Sequence, residues 1–426
     1  TIAMKNIIYA FDMLLRRPFL LLIIIIQFTV TFLFLNLSLT GVLTARETTK
    51  RINNIFEDRN YYAIQDRTNE ELLEKIFMQP DVLDKMNQFY GFLKDNHEFD
   101  FIEYYDGHIA FKAAPVDDQR FYYYSEPIFS NAEQERLFLL NQVTVGPKFF
   151  QLLPFEIAKG NLFGHADFNN NDATVASVIL GHAYQDYYDL GDKIEFYDYD
   201  AQTVKRLQVK GFLKKDAYFI SRGAGLINLD YYMVLPFKTV DITDEYALAN
   251  LGQIISQSLI ISGNVKETFI SISAESNRLK LYTSLNPYDL NQHSLIISDA
   301  INAGLRSLLP IGIAVLLFAS ISMVVSLLSF LRKNTKEIGV HLLAGATMKN
   351  IALRILWISM ICLSFSFVLA TLISNQVKNN IFPDFYQGQV LYYTVPLMLL
   401  IVVLISVWPV VKFLRTEISE IIRRKE

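Results

Sequence analysis

The sequence predicts an α-helical membrane protein with four transmembrane helices and a large α+β domain between helices 1 and 2. Three observations predict it. No charged residue occurs within 18–45, 307–331, 355–377 or 385–411, and each run exceeds the roughly 20 residues a helix needs to cross a bilayer. Hydrophobic residues make up 52% of the 426, with mean hydropathy +0.24, high for a water-soluble chain. Between the first two runs lie about 255 residues of mixed strand and helix pattern. The first run is also longer than the apolar stretch of a secretory signal, and no small-residue cleavage pattern ends it.

Orientation follows from the basic residues. Lys5, Arg16 and Arg17 precede the first span. Arg332, Lys333, Lys336 and Lys349 lie between the second and third, and Lys412, Arg415, Arg423, Arg424 and Lys425 follow the fourth. The loop between the third and fourth holds only Lys378 and Asp384. Both termini and the 332–350 loop are therefore expected in the cytoplasm. The basic segments carry +8 while the whole chain carries −4, which leaves −12 on the long outer segment. That field argues against nucleic acid and anionic headgroups as ligands and is compatible with cationic ones, and its plainer role is solubility. The one cysteine, Cys362, sits in the third span, so no disulfide staples the outer domain. At this size the domain can fold on its own core.

The expected boundaries are a cytoplasmic amphipathic helix over 1–17, transmembrane helix 1 over 18–45 and the outer α+β domain with helical stalks over 46–298. The stalk end and transmembrane helix 2 take 299–331, and a cytoplasmic loop takes 332–350. Transmembrane helix 3 follows at 351–376, an outer loop at 377–390, transmembrane helix 4 at 391–411 and a cytoplasmic tail at 412–426. In the first segment Ile7, Ile8, Phe11, Leu14 and Leu15 share a helical face. Pro18 suits the first turn of the next helix, which should continue past the membrane as a stalk.

Within the outer domain, 61–65 reads as a strand, and 70–78 and 81–93 as helices split near Pro80. Strands at 99–105 and 108–113 flank Asp106-Gly107, a hairpin signal. "FYYYS" (121–125) reads as a further strand with its aromatics packed on a sheet. A short helix after Val145, a strand at 174–180, a helix at 182–188 and strands at 192–197, 204–214, 253–262 and 267–273 follow. From about Asn291 a helical pattern runs unbroken into the second span. Small residues recur at helical spacing in span two (Ala319, Ser322, Ser326, Ser329) and span three (Ser359, Cys362, Ser366, Ala370), which suits close helix contact.

The 332–350 loop, "RKNTKEIGVHLLAGATMKN", is longer than two spans need. Asn334 with Glu337 three places on forms a capping-box pattern, opening a helix that runs to Leu343. Gly345 suits a left-handed helix end, and Thr347 can cap the next helix. Ile338, Leu342 and Leu343 form an apolar edge. A basic helix with such an edge either lies in the membrane interface or plugs into a cytoplasmic partner, and the physics of the residues leaves both open.

"KEIGVHLLAGAT" (336–347) resembles the signature of FtsX/MacB-like ABC transporter permeases, the mechanotransmitting type VII family. Lys336, Glu337, Ile338, Gly339, Gly345, Ala346 and Thr347 match. Asn334 and His341 stand where Arg is common, and Ile358 where Glu is frequent. The stretches 145–163, 176–196 and 209–213, with Gly160, Gly181, Gly191 and Gly211 expected at turns, are similar to the extracytoplasmic core of MacB-like permeases. "WPVVKFLRTEISEIIRRKE" (408–426) is similar to the family's closing segment.

The resemblance implies a bacterial cytoplasmic-membrane permease working as a dimer with a second copy or a homologous permease. A cytoplasmic ABC ATPase dimer would be coupled through Lys336, Glu337, Ile338, Gly339, Leu342, Gly345, Ala346 and Thr347. An extracytoplasmic adaptor or hydrolase is a further partner it allows. ATP and Mg belong to the ATPase, because this chain has no G-x-x-x-x-G-K-[ST] loop, and no cofactor or catalytic residue is expected here. No H-E-x-x-H or cysteine cluster marks a metal. "DFNNND" (167–172) starts like a calcium loop but lacks its glycine and its final glutamate, so it reads as a polar surface loop. The expected function is export of, or resistance to, peptides, antibiotics or lipid-linked cargo. The alternative is an FtsX-like regulator of a cell-wall hydrolase or signalling partner, without transport, which the size of the outer domain disfavours. A receptor without an ATPase is disfavoured by the loop.

Overall fold

The computed structural model describes residues 9, 18–56, 59–129, 136–153, 155–169, 175–198, 203–223, 225–237, 247–381 and 390–414. It divides into two units, one of residues 1–47 with 299–426 and one of Thr48–Ser298. In chain order, helix α1 (Pro18–Phe56) runs 39 residues, from the apolar stretch into charged sequence. Strand β1 (Tyr61–Asp66) precedes α2 (Glu70–Phe77), which Asn69 caps by accepting from the Glu71 amide at 2.9 Å, and α3 (Val82–Asp95). Next come β2 (Asp100–Ile102), β3 (Tyr104–Phe111), β4 (Ile128–Phe129), β5 (Arg136–Val145), α4 (Phe149–Leu152), β6 (Ile157–Gly160) and α5 (His165–Asn169). They are followed by β7 (Val175–Leu180), β8 (Lys193–Asp198), β9 (Thr203–Leu213), β10 (Tyr218–Ser221), β11 (Gly225–Asn228) and β12 (Met233–Pro236). The rest comprises α6 (Ala247–Gln257), β13 (Leu259–Ile261), α7 (Val265–Arg278), β14 (Leu285–Asp289), α8 (Leu290–Lys333, 44 residues), α9 (Thr335–Leu343), α10 (Met348–Ile381) and α11 (Val390–Leu414).

The Thr48–Ser298 unit holds two larger sheets and a ribbon. The first sheet is antiparallel, in the order β14-β1-β13-β2. One core joins it to α2, α3, α6 and α7 through Ile64, Phe101, Ile260, Ile76, Met86, Phe89, Ile254 and Ile272. The second sheet runs β12-β7-β9-β8-β3-β5 and closes, because β12 pairs with both β7 and β5. Closure removes the open edges a flat sheet would expose. Its packed interior includes Phe111, Phe121, Val178, Tyr184, Val209 and Phe212. Among the described residues β10 and β11 pair only with each other.

Several local expectations are overturned here. Asp106-Gly107 makes no hairpin: β3 runs straight through it, with Asp106 opposite Val143 and Gly107 opposite Gln142. The preceding strand, β2, belongs to the other sheet. Long-range pairing outweighs the two-residue turn signal. "FYYYS" is not a strand. It contributes the end of a 3-10 turn at Phe121 and a single bridge from Tyr122 to Leu140, burying Phe121 while Tyr123 and Tyr124 stay exposed.

Residues 253–257 and 267–273 are helical rather than extended. Asn264 caps α7, and Phe269, Ile272 and Ser276 bury one face while Ile270 is exposed. The "ISIS" alternation that imitates a strand is therefore a helix's wet and dry faces. Residues 182–186 form a 3-10 turn. Gly211 lies inside β9, where the register with β7 shifts, and not at a turn. β5, the longest strand after β9, carried no sequence expectation.

Among the described residues, four helices are long and apolar enough to cross a membrane, over Leu21–Phe56, Leu309–Lys333, Met348–Val377 and Val390–Lys412. Their shared core includes Phe28, Phe32, Met323, Leu327, Ile355, Leu363 and Ile401. The small residues of span three do serve close contact: Ser359, Cys362, Ser366 and Ala370 are buried, and Ser366 Oγ donates to Ile25 O at 3.2 Å. In span two Ala319 is buried, whereas Ser322, Ser326 and Ser329 are half-buried. The amphipathic helix expected over 1–17 lies outside the described residues, Tyr9 excepted. Most of the 377–390 loop and residues 415–426 of the tail also lie outside them.

Asp167, the first residue of the calcium-like stretch, is held by hydrogen bonds within the domain. Its carboxylate accepts from Ser177 Oγ at 2.6 Å and the Gly164 amide at 2.6 Å, and it pairs with Lys210. No metal-competent cluster occurs among the described residues, and residues 170–172 lie outside them. Burial alone would raise the Asp167 pKa, but these hydrogen bonds and the Lys210 charge hold it below the ordinary carboxylate range. A depressed folded-state pKa stabilises above the unfolded value and is lost as pH falls through the folded one. The expected result is a melting temperature that declines on acidification below about pH 4, with a shallower decline in Asp167→Asn. An unchanged acid limb in a thermal melt series would refute this.

Candidate functional site

The long helix α8 ends at Lys333, and α9 starts two residues later. Asn334 precedes it but makes no side-chain capping bond, so the expected capping box does not form. Its backbone carbonyl accepts from the Ile338 amide at 2.9 Å instead. With φ −100° and ψ 15°, Asn334 nearly continues the helical path, and this is not the extended geometry in which a side chain folds back to cap.

The other end forms as expected. Gly345 has φ +93°, a conformation that side-chain-bearing residues avoid. The Ala346 amide donates to His341 O at 2.9 Å and the Gly345 amide to Leu342 O at 3.1 Å. This paired pattern satisfies carbonyls that a helix end leaves open. Thr347 then caps α10, its Oγ1 accepting from the Asn350 amide at 3.3 Å. Ala346 and Thr347 thus act locally, by ending one helix and starting the next.

α9 has two apolar edges rather than one. Ile338, 2% exposed, enters the membrane-helix core beside Leu331, Ile351 and Ile355, and Leu342 packs against it. Gly339 is buried as well. Leu343, expected on the same edge, is 75% exposed, and Val340 is 65% exposed. Successive residues turn 100° on a helix, so Val340 and Leu343 neighbour each other on the side away from Ile338. Beside them the exposed Ala344 and Gly345 leave the surface low. Exposed Arg332 and Lys333 supply positive charge nearby in the chain. The Lys336 side chain lies outside the described ones.

Three residues that sequence reasoning missed complete the loop. Arg354, nearly two turns into α10, is only 7% exposed, and its guanidinium lies 4.7 Å from the centre of the Tyr9 ring. The Tyr9 ring meets His341 edge-on at 5.3 Å. Glu337, one turn before His341 on α9, is close enough to act on the Arg354 charge. Val340 is the third; a β-branched apolar residue out of phase with Ile338 and Leu342 was its signal. For Arg354 the signal was a lone cation entering an apolar helix, which is costly unless paired.

The fold and this loop define a multi-pass membrane protein whose loop between the second and third spans is a pinned helix with an exposed apolar tip. Residues 311–418 match the family model described as FtsX-like permease C-terminal. That stretch, about a quarter of the chain, covers most of span two, the loop and spans three and four, and over it the chain is similar to FtsX-like permeases. Among solved structures, the extracellular domain of the noncanonic ABC-type transporter YknZ from Gram-positive bacteria aligns at 10% identity and a TM-score of 0.30. The alignment covers 54% of this chain and all of that one. Similarity at that level does not establish a common fold. No curated protein matches the chain.

Proposed function

We propose that the chain is the permease subunit of an ABC transporter, present as a dimer and driven by a separate ATPase that binds the nucleotide and Mg. The observation that carries this reading is the two-edged α9. Ile338 and Leu342 fix the helix to the membrane core, while Val340 and Leu343 offer a small apolar tip to a partner. An apolar helix face set into a groove is a recurrent mode of docking. The helices α1 and α8 support the mechanical half of the reading, since each continues from an apolar run into the sequence of the α+β unit without interruption. Displacement at the loop can then be felt beyond the bilayer without cargo passing between the spans. The net charge of −12 on the segment between spans one and two favours cationic peptides or antibiotics as cargo.

The test is co-purification of the full-length chain with an ATPase from its own cell membrane. Wild type is expected to retain an ATPase, and Leu343→Asp to lose it while inserting normally, because a charge at the tip must be desolvated on docking. Retention of the ATPase by Leu343→Asp would refute the docking role.

A further inference from the structure

The two-stranded ribbon β10–β11 is too small to be stable alone, and its surroundings explain both its stability and its use. It touches four bodies within the Thr48–Ser298 unit. Toward α1, the Arg51 guanidinium lies 3.8 Å from the centre of the Tyr218 ring, and Arg51 Nη2 stands 3.9 Å from Asp216 Oδ1. Toward α8, Gly225 has φ +74°, and a Cβ there would meet Ile297 Cγ2 at 3.3 Å.

Toward the first sheet, Arg222 Nη1 donates to Ser256 O at 2.9 Å, just before β13, and to Ile64 O of β1 at 3.4 Å. The same guanidinium lies 5.0 Å from the centre of the Tyr288 ring on β14. Toward the closed sheet, Ser221 Oγ donates to Asp106 Oδ2 of β3 at 2.5 Å, and Phe219 packs on Tyr104 and Phe149. One core runs through all of it, with Ile52 and Phe56 from α1, Phe219, Ile220 and Ile227 from the ribbon and Leu290 from α8.

We infer that the β10–β11 ribbon is the joint through which the two long helices set the relative position of the two sheets, with Arg51 and Arg222 as its positioning residues. The inference rests on the proposed permease function for its purpose, and on the contacts alone for its mechanics. Arg51 and Ile297 belong to the two helices that continue from membrane spans, and the ribbon lies against both. A shift of one helix along the other must slide Tyr218 under Arg51 or Ile297 past Gly225. Arg222 grips backbone carbonyls on or beside two strands of the first sheet, while Ser221 holds the closed sheet, so a tilt of the ribbon changes the angle between them. Packed elements respond by discrete repacking rather than smooth bending.

The experiment uses the full-length chain in nanodiscs, with Cys362→Ser and nitroxides on cysteines at the exposed positions Met78 and Val204. These sites report the distance between the layers of the two sheets. Without nucleotide, Arg222→Ala and Arg51→Ala are expected to broaden the distance distribution roughly twofold, as local contacts are released. Arg51→Lys should restore it in part, because it keeps the cation over the ring. Arg278→Ala, which removes only the exposed pair with Glu275, should leave it unchanged.

The melting temperature separates loosening of the joint from unfolding, and a variant that fails to fold is replaced by Arg222→Lys. Unchanged distributions in the folded Arg51 and Arg222 variants would overturn the inference. A second arm adds the co-purified ATPase with ATP: a distance change in wild type that the Arg51 variant loses supports the joint, and one it keeps overturns it. If no ATPase binds, the permease reading fails in that arm while the nucleotide-free arm still decides the joint.

Discussion

Gly181→Ala is expected to cost the Thr48–Ser298 unit about 3 kcal/mol, as forced overpacking against backbone does. Gly181 follows β7 and donates its amide to Tyr232 O at 2.9 Å. An added Cβ would fall on the carbonyls of Leu229 and Asp230, which are backbone and cannot rotate away. Those residues lead into β12, the strand that closes the barrel-like sheet by pairing with β7 and β5. The methyl group therefore pushes directly on the closure. Gly191→Ala provides the contrast. Gly191 has φ +89° but nothing within 4 Å of its would-be Cβ, so only the left-handed conformation is penalised, about 1–2 kcal/mol. Thermal denaturation of the purified variants measures both. Equal losses would mean that the close approach at Gly181 is not what that position requires.

Gly345→Val should uncouple the loop while sparing the rest of the protein. Its cost is confined to the backbone: φ is +93°, and no atom lies within 4 Å of an added Cβ. A β-branched residue there costs on the order of 1–3 kcal/mol, enough to open the turn that holds Ala346 to His341 and Gly345 to Leu342. Leu343 and Val340 sit on the turn that is lost. With the proposed ATPase in hand, stimulation of its activity should disappear, while the protein still inserts and melts normally. Gly345→Asn should recover part of it, since Asn tolerates the left-handed region. Glu337→Lys is expected to act the same way by a different route, setting a positive charge beside the buried Arg354. Normal stimulation in both Gly345→Val and Glu337→Lys would refute the coupling assignment.

Much of the loop was legible in the sequence, for identifiable reasons. A glycine followed by alanine and threonine after an amphipathic stretch specifies a helix end and a new cap by local backbone chemistry alone, and both formed. The Asn334 cap failed because α8 reaches Lys333 in helical geometry and leaves that residue no room to be extended. Residues 253–257 and 267–273 misled because β-branched runs of that length suit a buried helix as well as a strand. Only packing of α6 and α7 against the first sheet decides between them. Tyr9 and Arg354 lie 345 positions apart, and no local pattern links them.

What the sequence alone determined is four helices long and apolar enough to cross a membrane, with a mixed α+β region between the first two. Hydrocarbon requires an unbroken apolar helix that satisfies its own backbone, and that requirement is written residue by residue. Which strands pair was decided only in three dimensions: β12 lies between β5 and β7, and β2 and β3 part into different sheets although one residue separates them. So was the choice of which edge of α9 turns inward. These depend on partners distant in the chain, whose fit is a property of packed shape and not of any short run of residues.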